Sequence, residues 1–225
     1  MDTKLKLLAI ETATEACSAA ISVNGEISVR YEFAPRQHAE LILPMVEQLL
    51  AEAEIKLASL DALAFGRGPG AFTGVRLATG VIQGLAFAAD LPVIPVSTLA
   101  ALAQGAITES QTLMSAIDAR MGEIYWGLYK ANQHNIVMPV SEEQISKPAL
   151  IHTPGGGQWY GIGSGWQTYH EILQDKLKSQ LIGFSGERYP HAKDIITLAI
   201  KDFHDGKAVS VDAALPVYLR NKVTA

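Results

Sequence analysis

The order of strand-like and helix-like runs constrains this chain more than any single residue does. Residues 6–12 (KLLAIET) read as a buried strand, and "ACSAAISV" and "EISVRYEF" flank Asn24-Gly25, the strongest short hairpin signal. A helix is predicted over 38–53, where Ile42, Met45, Val46, Leu49, Leu50 and Ala53 keep one face apolar. Pro44 inside that pattern predicts a kink or a late start. There follow a strand at 60–66, a helix at 74–89 with Thr73 as N-cap, a strand at 92–97, and a helix capped by Ser97 that runs through Ile107. A hairpin meander continued by alternating helices and strands implies a mixed sheet, not the all-parallel sheet of a dinucleotide domain.

The second half restarts in the same style. "SAIDARMGEIYWGLYK" (115–130) reads as a strand, a short turn and an alternating strand. "LAIET" (8–12) and "SAIDA" (115–119) align as apolar strand ends that each close on a carboxylate, which suggests a duplicated unit. A polar stretch, "HTPGGGQ" (152–158), precedes the strand "WYGIGSG" and two helices, 166–178 and 191–204. With 225 residues the chain can form one large domain or two small ones, and 48% hydrophobic content supplies a sizeable core. The split read here is a first lobe at 1–108 and a smaller second lobe at 109–204, with 205–225 packing back on the first.

Several function classes are disfavoured by charge and composition. The net charge of −5 and the scattered lysines and arginines provide no basic field for nucleic acid. The single cysteine, Cys17, excludes an internal disulfide and sits in an alternating strand-like run, where a buried structural thiol outweighs a nucleophile. The N-terminal segment lacks the pattern of a signal peptide, and the longest apolar run, 77–89, is too short to span a membrane. The reading is cytoplasmic.

The block "GRGPGAFTGVR" (66–76) places four glycines between a strand and a helix, where phosphate is often cradled. It fails as a Walker A loop, because Val75 and Arg76 follow Gly74 where lysine and a hydroxyl are needed. "GRGPGA" fits G-x-G-x-x-A literally, yet the acid that should hold a ribose, Asp90, comes before the next strand rather than after it. A tight strand-to-helix connection explains the same residues. Beyond it Gly80, Gly84 and Ala88 recur every four positions beside Leu77, Val81 and Leu85. Such a groove admits another helix, either from the protein's own core or from a partner.

Other catalytic patterns fail in turn. His38 reads as a surface or capping group, and His134, His152, His170, His191 and His204 form neither H-x-x-x-H nor H-E-x-x-H. "GSGWQ" lacks the G-x-S-x-G of a nucleophile elbow. Glu11 and Asp118 could hold hydrated magnesium as in two-lobed kinases and actin-like ATPases, but "DARMGEIY" offers a single glycine where a second phosphate loop is wanted.

Taken together, "LAIETATEACSAAI", "HAELILPMVEQLL", "LDALAFGRGPGAFTGVRLATGVIQGLAF", "LPVIPVSTLAALA" and "AIDARMGEIYWGLY" resemble the TsaB family, also called YeaZ. These bacterial proteins are needed to make threonylcarbamoyladenosine in tRNA. The resemblance covers about residues 5–130, with an echo in "GIGSGW" and "LPVYLR"; Ala71 stands where serine is common and Glu11 where aspartate is usual. It implies an α/β, actin-like (ASKHA, RNase H-like) two-lobed fold with mixed sheets flanked by helices, related to the catalytic subunit TsaD. In that subunit an H-x-x-x-H metal pair follows the glycine helix; here "STLAAL" (97–102) puts Thr98 and Leu102 at those positions, and neither replaces an imidazole.

The resemblance therefore implies no catalytic residue, cofactor or metal of the chain's own. It implies a subunit that scaffolds and activates a TsaD-like partner, with a TsaE-like ATPase in the complex and tRNA reached only through it. The assembly modifies N6 of adenosine 37 in tRNAs reading codons that begin with A. Pairing in the family uses the helices matching 38–53 and 74–89, which implies contacts from Ile42, Met45, Val46, Leu49, Leu77, Gly80, Val81, Gly84, Leu85 and Ala88. A homodimer of the isolated chain stays open. The competing readings are a metallopeptidase, since the wider family has been labelled glycoprotease, and an active ASKHA ATPase. Untagged protein purified and analysed for metals should carry iron and zinc far below one per chain; a stoichiometric metal would overturn the reading of positions 98 and 102.

Overall fold

The computed structural model describes residues 5–152 and 157–220, so 153–156 of the polar stretch read at 152–158 lie outside the described residues. Of the described residues, the first compact unit holds 5–101 together with 190–217, and the second holds those between 102 and 189 together with 218–220. The boundary near 101 falls inside a helix.

In the first unit, β1 (Leu7–Glu11), β2 (Ala16–Val23) and β3 (Glu26–Phe33) form the meander. Asn24 and Gly25, both at positive φ (54° and 82°), make its hairpin turn as the sequence predicts. The parallel strands β4 (Ala62–Gly66) and β5 (Val93–Val96) extend the sheet to the order β3-β2-β1-β4-β5. Helices α1 (His38–Glu52) and α2 (Phe72–Ala89) cover one face. Helix α1 runs from His38 straight through Pro44, without the late start predicted. Pro44 and Glu40, whose carbonyl loses its intrahelical partner, are both exposed, so the unpaired carbonyl is not a buried one.

β1 and β4 are buried along their whole length and β2 nearly so, which requires cover on both faces. Strand alternation turns Leu8, Ile10, Leu63 and Phe65 toward α1 and α2, and Ala9, Ala20, Ala62 and Ala64 the other way. That second face, lined by small side chains, is covered by α5 (Ala192–His204), which packs on β1, β2, β4 and β5. Sequence order alone puts this helix with the second lobe; the need to bury a two-sided sheet puts it with the first. Ser18 Oγ accepts the Ala192 N–H at 2.9 Å and His191 Nδ1 caps the helix by accepting from Lys193 N at 3.0 Å. Burial, with Lys193 nearby, lowers the His191 pKa to about 4, so the ring stays neutral and able to accept.

The second unit begins within α3 (Thr98–Gln104), whose N-cap is Ser97: its Oγ accepts the Ala100 N–H at 3.2 Å. It contains β6 (Thr112–Arg120), β7 (Glu123–Ala131), β8 (Val137–Pro139), β9 (Gln144–Ser146), β10 (Trp159–Ile162), α4 (Ser164–Leu177) and β11 (Leu181–Ser185). Its sheet runs β11-β10-β6-β7-β8, with β9 beside β7. Read from the other edge, both sheets have two antiparallel pairings followed by two parallel ones, and β1 and β6 hold the same central place. The duplication suggested by "LAIET" and "SAIDA" is therefore a duplication of topology. Helix α4, bent at Tyr169 (φ −125°, ψ 22°), buries Trp166, Leu173 and Leu177 in this unit's core.

The apolar stripe of α1 points inward. Ile42, Met45, Val46 and Leu49, implied above as partner contacts, are buried core residues against the first sheet. An apolar stripe at helical spacing buries first against its own sheet, which takes these four residues and leaves only the edge of the stripe, Leu50 and Ala53, partly exposed. Leu49→Ala should accordingly cost the isolated chain about 2–5 kcal/mol of stability, measured by urea or thermal unfolding; an unchanged unfolding curve would contradict the core assignment.

Candidate functional site

The glycine loop meets the turn that follows β1. Ala13 accepts the Ala71 N–H through its carbonyl at 2.7 Å, and Thr12 Oγ1 donates to the Gly74 carbonyl at 2.7 Å. A Cβ at Gly70 would overlap Ala13, and one at Gly74 would overlap the backbone of Thr12. Gly68 sits at φ +93°, and the Gly68-Pro69 bond is cis. These glycines let two backbones touch, as a tight connection requires. Helix α2 starts at Phe72 with Ala71 as N-cap and no side-chain cap, so Thr73 does not hold the capping position predicted for it. The contact with the turn sets the start instead.

Beneath the loop lies Glu11, 0% exposed. Its Oε1 accepts the Ala13 N–H at 2.6 Å and its Oε2 accepts the Thr98 hydroxyl at 3.1 Å. Thr98 Oγ1 in turn accepts the Gly68 N–H at 3.2 Å, and the Gly68 carbonyl accepts the Thr98 N–H at 3.0 Å. A Cβ at Gly66 would overlap the carboxylate itself. Burial pushes the Glu11 pKa up to about 7, against the opposing pull of the Ala13 and Thr98 hydrogen bonds. The group is a sealed brace, part protonated at neutral pH, with both oxygens engaged. Such a carboxylate is a poor ligand for magnesium, which takes ionised, accessible oxygens.

Asp118 holds the matching place at the end of β6 and is arranged differently. It accepts from Arg120 N (2.8 Å), Arg120 Nη1 (3.0 Å) and the Tyr169 hydroxyl (3.4 Å), which pins the turn into β7. The positions read as substituted histidines are interior: Thr98 is 0% exposed and Leu102 2% exposed. Cys17 is buried, and burial pushes its thiol up to about 12, which removes thiolate chemistry at neutral pH. His191 stacks on Tyr31, His170 on Phe184, and His152 meets Trp126 edge-on, so three of the histidines serve as packing rings. Among the described residues no group of three or more His, Cys, Asp or Glu side chains could hold a metal ion.

The second feature is the outer face of α2. Val75, Ala78, Thr79, Ile82 and Ala86 are buried, while Gly80, Gly84 and Ala88 are exposed, with Leu77, Val81 and Leu85 half-buried beside them. A Cβ at Gly80 or Gly84 would meet nothing within 4 Å, so the small residues line an open groove. Phe87, 83% exposed, stands beside it, and Phe72 at the start of the helix carries the Arg76 guanidinium 3.7 Å over its ring. By length and composition α2 could cross a membrane, but its inner side is part of the first unit's core. Helix α1 adds to this face. Arg30 of β3 bonds Gln48 and Glu52, which turns that flank of α1 toward β3. Helical spacing places Leu43, 44% exposed, and Leu50 on the opposite flank, toward α2. Sequence reasoning found the α2 groove and missed Phe87 and Leu43; their large side chains outside any apolar stripe are the only signal they carry.

Two mixed α/β sheets of one strand pattern, each backed by helices, define the actin-like class. The TsaD family profile, described as tRNA N6-adenosine threonylcarbamoyltransferase, matches residues 28–224. The Escherichia coli (strain K12) protein named tRNA threonylcarbamoyladenosine biosynthesis protein TsaB is 43% identical over 225 residues, covering 97% of this chain and 96% of its own. The like-named protein of Haemophilus influenzae is 38% identical over 230 residues, covering 98% and 95%. The solved structure of YeaZ from Pseudomonas aeruginosa superposes with a TM-score of 0.90 at 44% identity, over 96% of this chain and all (100%) of that one. The chain belongs to the TsaB, or YeaZ, family of TsaD-related proteins.

The Glu11 brace has a pH signature. Its pKa is raised on folding from 4.5 to about 7, so its stabilising proton is fully present below about pH 4.5 and is lost as pH rises through about 7. The stability lost over that window from this group is at most about 3 kcal/mol. Glu11→Gln keeps an acceptor for Ala13 N and removes the titration. It should flatten the loss between pH 4.5 and 8 and be more stable than the parent at pH 8; equal pH dependence of the two unfolding free energies would refute the assignment.

Proposed function

We propose that this chain is a non-catalytic subunit for threonylcarbamoyladenosine formation in tRNA, docking a TsaD-like catalytic subunit through the exposed face of α2. The observation that carries this reading is the open groove of Gly80, Gly84 and Ala88 between half-buried Leu77, Val81 and Leu85, on a helix whose other side is core. A groove of small residues accepts the ridge of a second helix at close distance, and contiguous exposed apolar surface on a folded protein marks a contact site. The family relatives named for threonylcarbamoyladenosine biosynthesis supply the process. The partner reading follows from kinship: a TsaD-like subunit shares this fold and would bring an equivalent helix. The contact set proposed is Leu77, Gly80, Val81, Gly84, Leu85 and Ala88, with Leu43 and Leu50 replacing the buried α1 residues.

A supporting role without chemistry of its own suits the interior. Glu11 is sealed by Thr98 and the glycine loop, and Thr98 and Leu102 carry no imidazole where TsaD has its metal pair. Within this reading the subunit activates the transfer of threonylcarbamoyl to N6 of adenosine 37, a TsaE-like ATPase joins the complex, tRNA is held by the assembly, and the location is cytoplasmic.

The test uses Gly84→Leu, which fills the groove. With nothing within 4 Å of the new Cβ, the isolated chain should keep or slightly raise its melting temperature, since glycine costs a helix interior about 1 kcal/mol. Overpacking a helix contact by about 1–3 kcal/mol should weaken affinity for the TsaD-like subunit of the same organism roughly 5- to 150-fold, with loss of tRNA modification in the reconstituted system. Unchanged affinity in a folded variant would place the contact elsewhere.

A further inference from the structure

Strand β3 ends the first sheet, with β2 on one side and, among the described residues, no strand on the other. Edge strands in natural proteins are usually kept short, bulged or broken by proline. β3 is none of these: its 8 residues pair with β2 in unbroken register from Glu26 to Phe33, without proline. The two-residue turn Asn24-Gly25 makes Val23 and Glu26 its hydrogen-bonded closing pair, and alternation then gives Ser28, Arg30 and Glu32 to β2 as well. The backbone N–H and C=O groups of Ile27, Val29, Tyr31 and Phe33 therefore face away from β2. The Val29 carbonyl agrees, for it accepts from a side chain, Arg30 Nη1, at 2.9 Å.

The side chains of this edge form two rows. Tyr31 and Phe33, 43% and 54% exposed, share one face, where His191 stacks on Tyr31 and holds its ring. Arg30 and Glu32 share the other. Gln48 and Glu52 of α1 take Nε and Nη2 of Arg30, which leaves Nη1 on its own strand's carbonyl, and Glu32 stands exposed two residues along.

An open edge is completed by another strand, and these side chains select which one. Antiparallel pairing of β3 with itself about a two-fold axis must set outward residues against outward residues. Centred on Arg30 it opposes two arginines, centred on Glu32 two glutamates, and centred on Val29 it sets Glu26 against Glu32. Centred on Tyr31 it sets Arg30 against Glu32 twice, Val29 against Phe33 twice, and Tyr31 against itself. That register joins opposite charges on one face and aromatic with β-branched or aromatic side chains on the other, the pairs that favour strand association. Centring on Ser28 also joins opposite charges, Glu26 with Arg30, but it runs Tyr31 and Phe33 past the end of the partner strand. Helix α1 packs chiefly on β2. Two β2 strands separated by a pair of β3 strands lie about 14 Å apart, more than a helix diameter of about 10–12 Å, so the two α1 helices fit side by side.

We infer that β3 is a self-association edge: two copies of this chain pair through it, antiparallel about Tyr31, into one continuous sheet. On pairing, Arg30 Nη1 passes from the Val29 carbonyl to Glu32 of the second copy. The outer face of α2 takes no part, so this contact and the docking reading above stand or fall separately.

The test is sedimentation of the full chain from micromolar to near-millimolar concentration, with thermal unfolding alongside. The parent should pass from monomer to dimer. Glu32→Lys, which sets lysine against Arg30 twice, should raise the dimer dissociation constant roughly tenfold or more and leave the melting temperature unchanged. Gly84→Leu on α2 should leave the dimer as it is. Tyr31→Cys should cross-link to itself under oxidation, because hydrogen-bonded strand partners stand about 5.5 Å apart at Cα. Val29→Cys, set against Phe33, should not, and buried Cys17 adds no cross-link of its own. A parent that stays monomeric throughout would overturn the self-association edge, and so would faster cross-linking at position 29 than at 31. A dimer lost with Gly84→Leu but kept with Glu32→Lys would overturn it too, by placing the second copy on the α2 face. None of these outcomes bears on the affinity of Gly84→Leu for the TsaD-like subunit, which tests the docking reading alone.

Discussion

The contact between the turn after β1 and the glycine loop is the constraint on which the first unit depends. Ala13 and Thr12 meet Ala71 and Gly74 through backbone atoms, at a separation that side chains at Gly70 and Gly74 would forbid. That approach fixes where α2 begins without a side-chain cap, and so fixes which residues the helix turns outward. It also closes over Glu11. Leaving a carboxylate there is costly, and the Ala13 and Thr98 hydrogen bonds offset the cost only in part, as the raised pKa records. The carboxylate thus serves as an interior brace between the end of β1 and the start of α3.

The two sheets share one strand pattern and differ in what stands at the end of the central strand. Glu11 is interior and braced by Thr98, whereas Asp118, its side chain 10% exposed, organises a turn through Arg120. One topology thus occurs twice with different chemistry at the end of its central strand. Fold kinship with a transferase therefore says little about catalysis here, because chemistry resides in the side chains at a site and not in the fold.

Elements with a strong local signal were legible in the sequence. The Asn24-Gly25 hairpin, the buried strands, the glycine connection and α2 all follow from periodicity and turn chemistry. The short strands β8 and β9 were not, because three residues carry too little alternation to separate from loop. The place of α5 was not legible either. Its own face is clearly amphipathic, yet which sheet it covers depends on β1, β2 and β4 needing burial on their second side. The small-residue recurrence marks the outward face of α2, while the stripe of Ile42, Met45, Val46 and Leu49 points into the core.

By itself, the sequence determined the strands and helices with strong periodicity, the positions where backbones must touch, and the lack of imidazoles at 98 and 102, since each rests on residue type and local spacing. Only the tertiary structure decided which apolar faces were left over once the sheet was covered, that Glu11 is sealed rather than open, and that residues 209–217 strap the flank of α2. Those outcomes depend on contacts between segments far apart in the chain, 131 residues in the bond from Gln83 to Ala214 and 174 in that from Ala192 to Ser18. No local pattern encodes such pairings; the competition to bury two faces of one sheet does.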